Sequence, residues 1–447
     1  MNAFIKKTHF KNKENKSSQK LYSWQKEALD TWYDKKFGII EASTGSGKTQ
    51  VAIEIIKSHK DCKFLIVVPK VSLANQWKKV IFKQLGLKTI PFSPSRFDDR
   101  NTIMIEVINT VSKEVDEITT WGPNVIIYDE VHRYTGKAFR KALELQVTKK
   151  PDVLKGKLGL TATVPDKGTK PIAYSTLMKN MKEIIYTYTI SDARNDNLIA
   201  PYSLYITKVG LTDQEREEKT KIDNQIAYLK QKAIQLLKQK GIKLDIGRIL
   251  EAQLPPEYQN EAIQELRTAF LRRRHLSYKS HFKMYNGCLT AQRILEKLPN
   301  EQLIIFTMTK NKADEVAKEL ERKDIITRTV HSGNDPYDNY CALQSFTLKD
   351  IPVLVTVKTL EEGIDIPHVR FIIIIAETKQ IRQLIQRIGR TLRIDKNNPD
   401  KKAFIIMFEI EGDEFDIETI HESANESYYY DTNDIEQFYE DLISKVQ

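Results

Sequence analysis

The chain has 447 residues, of which 40% are hydrophobic, so it is long enough for two or more domains with buried cores. Its apolar runs, such as residues 371–376, are far shorter than the ~20 residues of a membrane-spanning helix, and its N-terminus lacks the apolar core of a secretory signal. Its three cysteines are far apart and form no CxxC pair, which argues against a disulfide framework or a zinc ribbon. We therefore expect a soluble, cytoplasmic protein that does not contact membranes.

The net charge of +10 is unevenly distributed along the chain. Residues 1–20 contain six lysines and one glutamate, which predicts a basic flexible tail. Residues 409–447 contain 13 acidic residues and one basic residue, which leaves residues 1–408 with a net charge of +22. A basic body indicates a polyanionic partner such as nucleic acid, although charge alone is equally compatible with a well-solvated surface.

The predicted elements, taken in chain order, indicate the fold class. Residues 21–210 alternate short apolar runs with helical patterns, which is typical of a parallel sheet with helices on both faces. The predicted strands there are 37–40, 64–68, 102–107, 125–128 and 157–160. Residues 288–408 repeat this texture, with predicted strands 303–307, 326–330, 353–357, 371–376 and 403–408. The sequence therefore predicts two α/β domains.

Residues 211–287, between the two predicted domains, have a helical texture. Apolar side chains recur at spacings of four and three residues at Ile222, Ile226, Leu229, Ala233 and Leu236. A second helical pattern contains three arginines, residues 272–274, which could contact phosphates or form a solvated face. These patterns predict a helical-hairpin insertion. The acidic residues 409–447 predict a docked C-terminal helix that caps the second domain or offers a surface to a protein partner.

Residues 41–49 read EASTGSGKT and lie between a predicted strand and a helical stretch, the context of a phosphate-binding loop. Gly45 and Gly47 allow backbone N–H groups to point at phosphate oxygens, and the helix adds its positive N-terminal dipole. Lys48 is predicted to reach the β- and γ-phosphates of ATP, and Thr49 to ligate Mg²⁺. Ala42 stands where the usual pattern has its first glycine. The predicted nucleotide contacts are Thr44, Gly45, Ser46, Gly47, Lys48 and Thr49.

The predicted strand 125–128 leads directly into Asp129 and Glu130. Both carboxylates are expected at the carboxyl edge of a parallel sheet, where ligands of open α/β sheets bind. Asp129 is suited to hold Mg²⁺, and Glu130 to orient the attacking water. Two carboxylates after a strand are a weak signal alone, but their position 81 residues after Lys48 makes it strong. The sequence therefore predicts a complete Mg-ATP site.

Residues 386–393 read QRIGRTLR and place Arg390 and Arg393 three residues apart, on one face if the segment is helical. An arginine from a second domain could stabilise the γ-phosphate as its bond breaks, and would do so only when the cleft closes. The segment alone favours a basic surface helix.

In this order, over residues 21–408, these segments resemble the motifs of a superfamily 2 helicase or translocase of the DExH type. The resemblance implies two RecA-like domains with parallel sheets that flank an ATP-binding cleft. It implies further nucleotide contacts at Gln25, which reads adenine, and at Gly363, Asp365 and Gln386. It also implies that Arg390 and Arg393 act as arginine fingers.

The same resemblance implies a nucleic-acid path across both domains. The implied contacts are Pro69, Lys70, Gln76, Thr110, Thr161, Thr163, Thr356 and Thr359. The last two are candidates to replace a threonine that many RNA helicases of the superfamily have where this chain has Val357. Trp77 could stack on a base, but a core position is the favoured interpretation.

Within the superfamily, the chain most resembles the XPB-like and phage UvsW-like DNA helicases, because residues 211–218 open a helical insertion and the basic residues 272–275 lead into the second domain. This resemblance implies an ATP- and Mg²⁺-dependent helicase or translocase on duplex, forked or branched DNA, usually with 3′-to-5′ polarity. Three alternatives stay open: an RNA helicase, with RNA the less favoured partner, a motor subunit of a restriction or defence complex, and an ATP switch that does not hydrolyse.

Overall fold

The computed structural model describes residues 21–43, 45–87, 89, 103–150, 153–168, 170–250, 258–357, 366, 368–375, 398, 400–412 and 424–446. Eight parts of the sequence-based expectations lie outside these ranges. They are the basic tail 1–20 and the candidate residues Thr44, Thr359, Gly363, Asp365, Gln386, Arg390 and Arg393.

The first sheet is parallel, with strand order β3-β2-β4-β5-β1-β6. Its strands are β1 Phe37–Ala42, β2 Phe64–Val68, β3 Ile103–Val107, β4 Val125–Asp129, β5 Gly156–Thr161 and β6 Ile184–Tyr188. Its helices are α1 Ser23–Lys35, α2 Lys48–Ser58, α3 Val71–Leu85, α4 Ile108–Lys113, α5 Val115–Trp121, α6 Arg140–Glu144, α7 Pro171–Met181 and α8 Ile190–Asn195. The central strands are almost wholly buried because helices cover both faces. The parallel arrangement brings the carboxyl ends of β4, β5 and β1 to one edge.

The helical insertion follows as α9 Asp213–Gln239, α10 Ile246–Ile249 and α11 Glu261–Lys279. Helix α9 begins with a capping box, in which Thr212 and Glu215 satisfy each other's backbone N–H groups. Leu229 and Ala233 of α9 share a small apolar core with Ile263 and Leu266 of α11. This packing gives the predicted hairpin a core of its own.

One arginine of the 272–274 triplet links the two long helices of the hairpin. Arg273 Nε donates a 2.8 Å hydrogen bond to Asp223 Oδ1 of α9, and the Arg273 side chain is only 14% exposed. Of the two expectations for this triplet, neither applies to Arg273, because its guanidinium links the two helices.

The second sheet is also parallel, with strand order β13-β7-β12-β11-β8-β10-β9. Its strands are β7 Tyr202–Val209, β8 Leu303–Thr307, β9 Thr327–Val330, β10 Val353–Val357, β11 Phe371–Ile374, β12 Ala403–Ile410 and β13 Glu426–Tyr430. Its helices are α12 His281–Lys297, α13 Lys310–Glu321, α14 Pro336–Thr347 and α15 Ile435–Val446. Within the described residues, no helix combines the length and the apolar character needed to cross a membrane.

Two predicted domain boundaries are wrong. The first domain was expected to run to residue 210, but β7 lies in the second sheet, hydrogen-bonded between β12 and β13. The second domain was expected to begin at residue 288, but α12 begins at His281 and packs on the second sheet through Cys288, Ala291 and Ile294. The chain therefore enters the second domain before the hairpin and returns to it after the hairpin.

The C-terminal segment completes the second sheet. Strand β13 pairs with β7, and α15 buries Phe438, Tyr439 and Leu442 in the same core as Tyr205. The predicted C-terminal helix is confirmed. Its burial supports the interpretation that the segment caps the second domain.

Candidate active site

The phosphate-binding loop connects β1 to α2. Gly45 and Gly47 have φ of 91° and 94°, in the left-handed region that glycine adopts without a steric penalty. Ser46 Oγ donates a 2.7 Å hydrogen bond to Ser43 O and so closes the turn from within. Helix α2 begins at Lys48, so the positive N-terminal end of its dipole lies beside the loop. This is the geometry of an anion-binding site.

Lys48 is held over this loop. Its Nζ donates to Ala42 O at 2.7 Å and to Ser43 O at 3.2 Å, and the residue is only 9% exposed. A lysine ammonium has three donors in a compact head group. A phosphate that enters the loop therefore meets a preplaced positive charge.

Gln25 of α1 lies directly against the loop. Its amide Nε2 donates to Gly47 O at 3.1 Å, while its Oε1 accepts from Tyr22 N at 2.9 Å. A Cβ at position 47 would lie 2.6 Å from Gln25 Nε2 and would displace that amide, and the φ of 94° would strain any other residue there. The predicted adenine contact of Gln25 stays a prediction, but the structure places this buried amide on the phosphate-binding loop.

The two predicted carboxylates lie at the carboxyl end of β4, with Asp129 as its last residue and Glu130 directly after it. Asp129 is 9% exposed, and its Oδ2 accepts a 2.8 Å hydrogen bond from Trp77 Nε1. Tyr134 OH donates to Asp129 O at 2.6 Å, and burial together with the two carboxylates raises the pKa of Tyr134 well above its usual value. Glu130 has φ of 53° and ψ of 47°, a left-handed conformation that is uncommon outside glycine and concentrates at functional sites.

His132 lies between Glu130 and the loop after β5. His132 Nδ1 lies 3.5 Å from Glu130 Oε2, within ion-pair distance, and 2.7 Å from Thr161 Oγ1, at hydrogen-bonding distance. Thr161 Oγ1 also lies 2.7 Å from Thr163 O and accepts a 3.1 Å hydrogen bond from Thr163 N. A chain of contacts therefore runs from the carboxylate segment through His132 and Thr161 to the loop.

The same loop is also attached to β1. Glu41 Oε1 accepts a 2.8 Å hydrogen bond from Val164 N. Glu41 and Thr161 are neighbours in the register of β1 and β5. The loop after β5 is thus tied both to the strand that carries the phosphate-binding loop and to the carboxylate segment.

Two predicted nucleic-acid contacts have hydroxyls that bond within the protein, and their contacts with nucleic acid stay predictions. Thr161 is fully buried, and its hydroxyl is used within the His132–Thr163 chain. Thr356 is also fully buried and donates to Val330 O at 3.1 Å. A threonine hydroxyl on a central strand bonds its neighbours because burial without a partner is costly.

The other described candidates lie near the carboxyl edge of the first sheet. Pro69 and Lys70 follow β2, Gln76 lies on α3, Thr110 lies on α4 after β3, and Thr163 follows β5. Lys70 and Gln76 are exposed, and the other three are partly buried. Their contacts with nucleic acid stay predictions.

The residues present fit a magnesium ion that is held mainly by phosphates. Within the described ranges, no three His, Cys, Asp or Glu side chains come together to form a protein-only metal site. Asp129, at the end of β4, offers a carboxylate, and Thr49, at the start of α2, offers a hydroxyl. Both are hard oxygen ligands of the kind that Mg²⁺ prefers. This is the sparse donor set of an ATPase, in which substrate oxygens supply further ligands.

Comparison with known proteins finds a family match in each of the two sheets. Residues 18–166 match the family model described as type III restriction enzyme, res subunit, and residues 288–395 match the helicase conserved C-terminal domain. The chain is 28% identical over 405 residues to a protein named DNA 3'-5' translocase XPB2 from Sulfurisphaera tokodaii, covering 89% of this chain and 83% of the relative. The two domain matches and this relative support a superfamily 2 helicase that is XPB-like.

Two further comparisons describe this superfamily 2 helicase. It is 24% identical to a protein named DNA 3'-5' helicase XPB from Mycobacterium tuberculosis, over 83% of this chain and 58% of that relative. The solved helicase domain of Pyrococcus furiosus Hef superposes with a TM-score of 0.53 at 17% identity, covering 87% of this chain and 96% of that one. The structural likeness confirms the predicted fold class of two RecA-like α/β domains.

The contacts of Trp77 and Glu41 were missed by sequence reasoning. Trp77 was expected in the core, and its burial is confirmed, but its bond to Asp129 joins residues 52 positions apart. Glu41 precedes the loop motif and contacts Val164, 123 positions away. Neither pairing has a local pattern that a single sequence could reveal.

Proposed function

We propose that this superfamily 2 helicase is an ATP-dependent DNA helicase or translocase that hydrolyses ATP at the carboxyl edge of its first sheet. One observation carries the proposal. Lys48 comes after β1, Asp129 and Glu130 stand at the carboxyl end of β4, and these two strands flank β5. Phosphate binding and water activation thereby share one edge of the sheet.

Each residue of the site has a distinct role in this proposal. Lys48 and the N-terminus of α2 bind the β- and γ-phosphates, and Thr49 with Asp129 holds the magnesium ion. That ion, when bound, neutralises charge that develops on the phosphates. Glu130 accepts a hydrogen bond from the attacking water and orients it in line with the γ-phosphate.

The second domain is proposed to complete the site. Arg390 or Arg393 would stabilise the negative charge that develops on the γ-phosphate. Because this contact requires the domains to approach each other, ATP binding and hydrolysis would drive the cleft to close and open. Alternate closing and opening, with nucleic acid held across both domains, would move the protein along the strand.

Three observations support DNA as the polymer. Two relatives that match most of this chain carry names that specify DNA and 3'-5' direction. Residues 1–408 carry a net charge of +22, which favours a polyanion, and binding through phosphate contacts should weaken steeply with salt. The hairpin α9–α11 is a rigid, separately packed element that could separate or clamp strands. Duplex, forked or branched DNA is the proposed substrate class.

Two alternatives share the same ATPase site. RNA could replace DNA. The two polymers are distinguished by the 2′-hydroxyl of the sugar, and the residues of the ATPase site do not determine which contacts recognise that group. The family model over residues 18–166 is that of a restriction-enzyme subunit, which favours a motor within a larger complex as the second candidate.

A substrate panel tests the proposal. ATP turnover is measured without nucleic acid and with duplex DNA, forked DNA, four-way DNA and RNA of the same sequences. We expect strong stimulation by DNA and weak stimulation by RNA, together with unwinding or displacement of a bound protein that requires ATP. Stimulation by RNA alone would favour the RNA alternative, and turnover that no polymer changes would refute a nucleic-acid motor.

A further inference from the structure

The indole of Trp77 contacts a carboxylate of the candidate active site. Trp77 Nε1 donates a 2.8 Å hydrogen bond to Asp129 Oδ2, and the indole and carboxylate are 2% and 9% exposed. Hydrogen bonds to an ionised acceptor are shorter and stronger than neutral ones. In a nearly dry environment this contact fixes the carboxylate firmly.

The chemistry of the indole limits what this contact can do. An indole N–H donates one hydrogen bond and accepts none, so it stabilises the ionised form of Asp129 and has no alternative role there. It also restricts rotation of the carboxylate plane. Groups that orient a metal-binding side chain in this way typically change metal affinity 10- to 100-fold when they are removed.

The position of Trp77 on α3 adds a second consequence. Helix α3 begins at Val71, directly after Pro69 and Lys70, two of the predicted contacts with nucleic acid. Gln76, another predicted contact, is exposed, whereas the next residue, Trp77, is buried against Asp129. A shift of α3 on nucleic-acid binding would therefore be transmitted to the carboxylate through a single side chain.

We propose that Trp77 is a positioning residue, whose N–H aims the Asp129 carboxylate at the magnesium ion of bound ATP and links that aim to the position of α3. This inference rests on the proposed ATPase function. It predicts that the N–H group, and not only the bulk of the ring, is required.

Trp77→Phe removes the donor and keeps an aromatic ring. The matched control is Trp32→Phe, because Trp32 is another fully buried tryptophan of the same domain, and its Nε1 donates to a backbone carbonyl, Lys157 O, at 3.4 Å. Equilibrium binding of a fluorescent, non-hydrolysable ATP analogue is measured across a magnesium titration. We expect the half-saturating magnesium concentration to rise about tenfold in Trp77→Phe and to stay at the wild-type value in Trp32→Phe.

DNA-stimulated turnover provides the second readout of the same variants. Trp77→Phe should lose a larger share of the DNA-stimulated rate than of the basal rate, because α3 would no longer be coupled to Asp129. A Trp77→Phe protein that matches Trp32→Phe in both readouts would overturn the inference. Absence of magnesium-dependent nucleotide binding or turnover in the wild-type protein would instead refute the proposed function.

A measurement on the wild-type side chain covers the case in which Trp77→Phe does not fold. The chain has four tryptophans, and their indole N–H signals can be recorded with nitrogen-15 labelling. Trp24→Phe, Trp32→Phe and Trp121→Phe assign three signals, and the remaining one belongs to Trp77. That signal should move when magnesium is added to the complex with the ATP analogue, and an unmoved signal would overturn the inference.

Discussion

The two parallel sheets have similar architectures but differ at their carboxyl edges. In the first sheet, β1 and β4 lead into charged side chains, Lys48, Asp129 and Glu130. In the described part of the second sheet, Thr356 Oγ1 of β10 donates to Val330 O of β9, and Thr307 Oγ1 of β8 donates to Thr309 O at 3.3 Å. Among the described residues, the first edge therefore carries charged side chains, whereas these hydroxyls of the second edge bond to backbone carbonyls.

In the proposed function, the first domain supplies the groups that bind phosphate and magnesium. The contribution of the second domain is then expected from residues 386–393, which lie outside the described ranges. The site would be assembled from binding groups on one domain and a charge-stabilising group on the other. The following variants test this division, beginning with the largest expected effect.

Removal of a finger arginine should have the largest effect on turnover. Arg390→Ala or Arg393→Ala, whichever is the finger, should lower DNA-stimulated ATP turnover by about 10³-fold or more, with nucleotide affinity little changed. Arg322→Ala, at an exposed arginine that directly follows α13 and pairs with Glu319, is the control and should keep wild-type turnover. Full activity in both Arg390→Ala and Arg393→Ala would show that the second domain does not complete the site.

Removal of the loop lysine should affect binding as well as turnover. Lys48→Ala should lower turnover by about 10²- to 10³-fold and weaken ATP binding, because the ammonium contacts phosphates in both the ground state and the transition state. Lys57→Ala, on the same helix but paired with Glu54 on the surface, should leave both unchanged. Nucleotide titration and steady-state turnover separate the two variants, and equal behaviour would place the ATP site elsewhere.

The hydroxyl of Thr161 should affect turnover through its hydrogen-bond partners. Thr161→Val keeps the shape of the side chain but removes the hydrogen-bond partner of His132 Nδ1. The loss should lower the free energy of unfolding by about 1–3 kcal/mol. We expect DNA-stimulated turnover to fall about tenfold while ATP affinity is retained. Thr176→Val, at a buried threonine of α7 that donates to Ile172 O, is the control. A normal response to DNA in Thr161→Val would show that this chain of hydrogen bonds does not couple the two ligands.

The C-terminal cap should affect stability and not chemistry. Phe438 is fully buried in the second core, so Phe438→Ala should lower the free energy of unfolding by about 3–5 kcal/mol. Basal ATP turnover of the folded protein should stay unchanged, and Tyr429→Ala, at a residue that is 41% exposed, should have little effect on either. A rise in basal turnover in Phe438→Ala would instead indicate that the acidic segment restrains the motor.

The sequence specified strands best where burial is complete. The predictions 64–68 and 353–357 coincide with β2 and β10, because strands covered on both faces read as continuous apolar runs. Strands β6 and β13 were missed, since their tyrosine-rich segments are partly exposed. Strand β7 was not predicted as a strand, and its residues were placed in the first domain, because a strand's partners depend on tertiary packing, which its local pattern does not encode.

The candidate site was predictable to different degrees. Motif spacing predicted positions that the structure shares, since Lys48 begins α2 and Asp129 and Glu130 stand at the end of β4. Their roles stay predictions. Spacing did not predict that the hydroxyls of Thr161 and Thr356 bond within the protein, since a threonine at a strand end can face either a ligand or a neighbouring strand. The Trp77–Asp129 bond depends on how α3 packs against β4, which no spacing rule contains.

The turnover of Glu130→Gln tests most directly whether Glu130 orients the attacking water. This change keeps the size of the side chain and removes the carboxylate that orients water. We expect ATP affinity close to that of the wild-type protein and a loss of DNA-stimulated turnover of at least about 10²-fold. Turnover at the wild-type rate in Glu130→Gln would contradict the role of Glu130 in ATP hydrolysis.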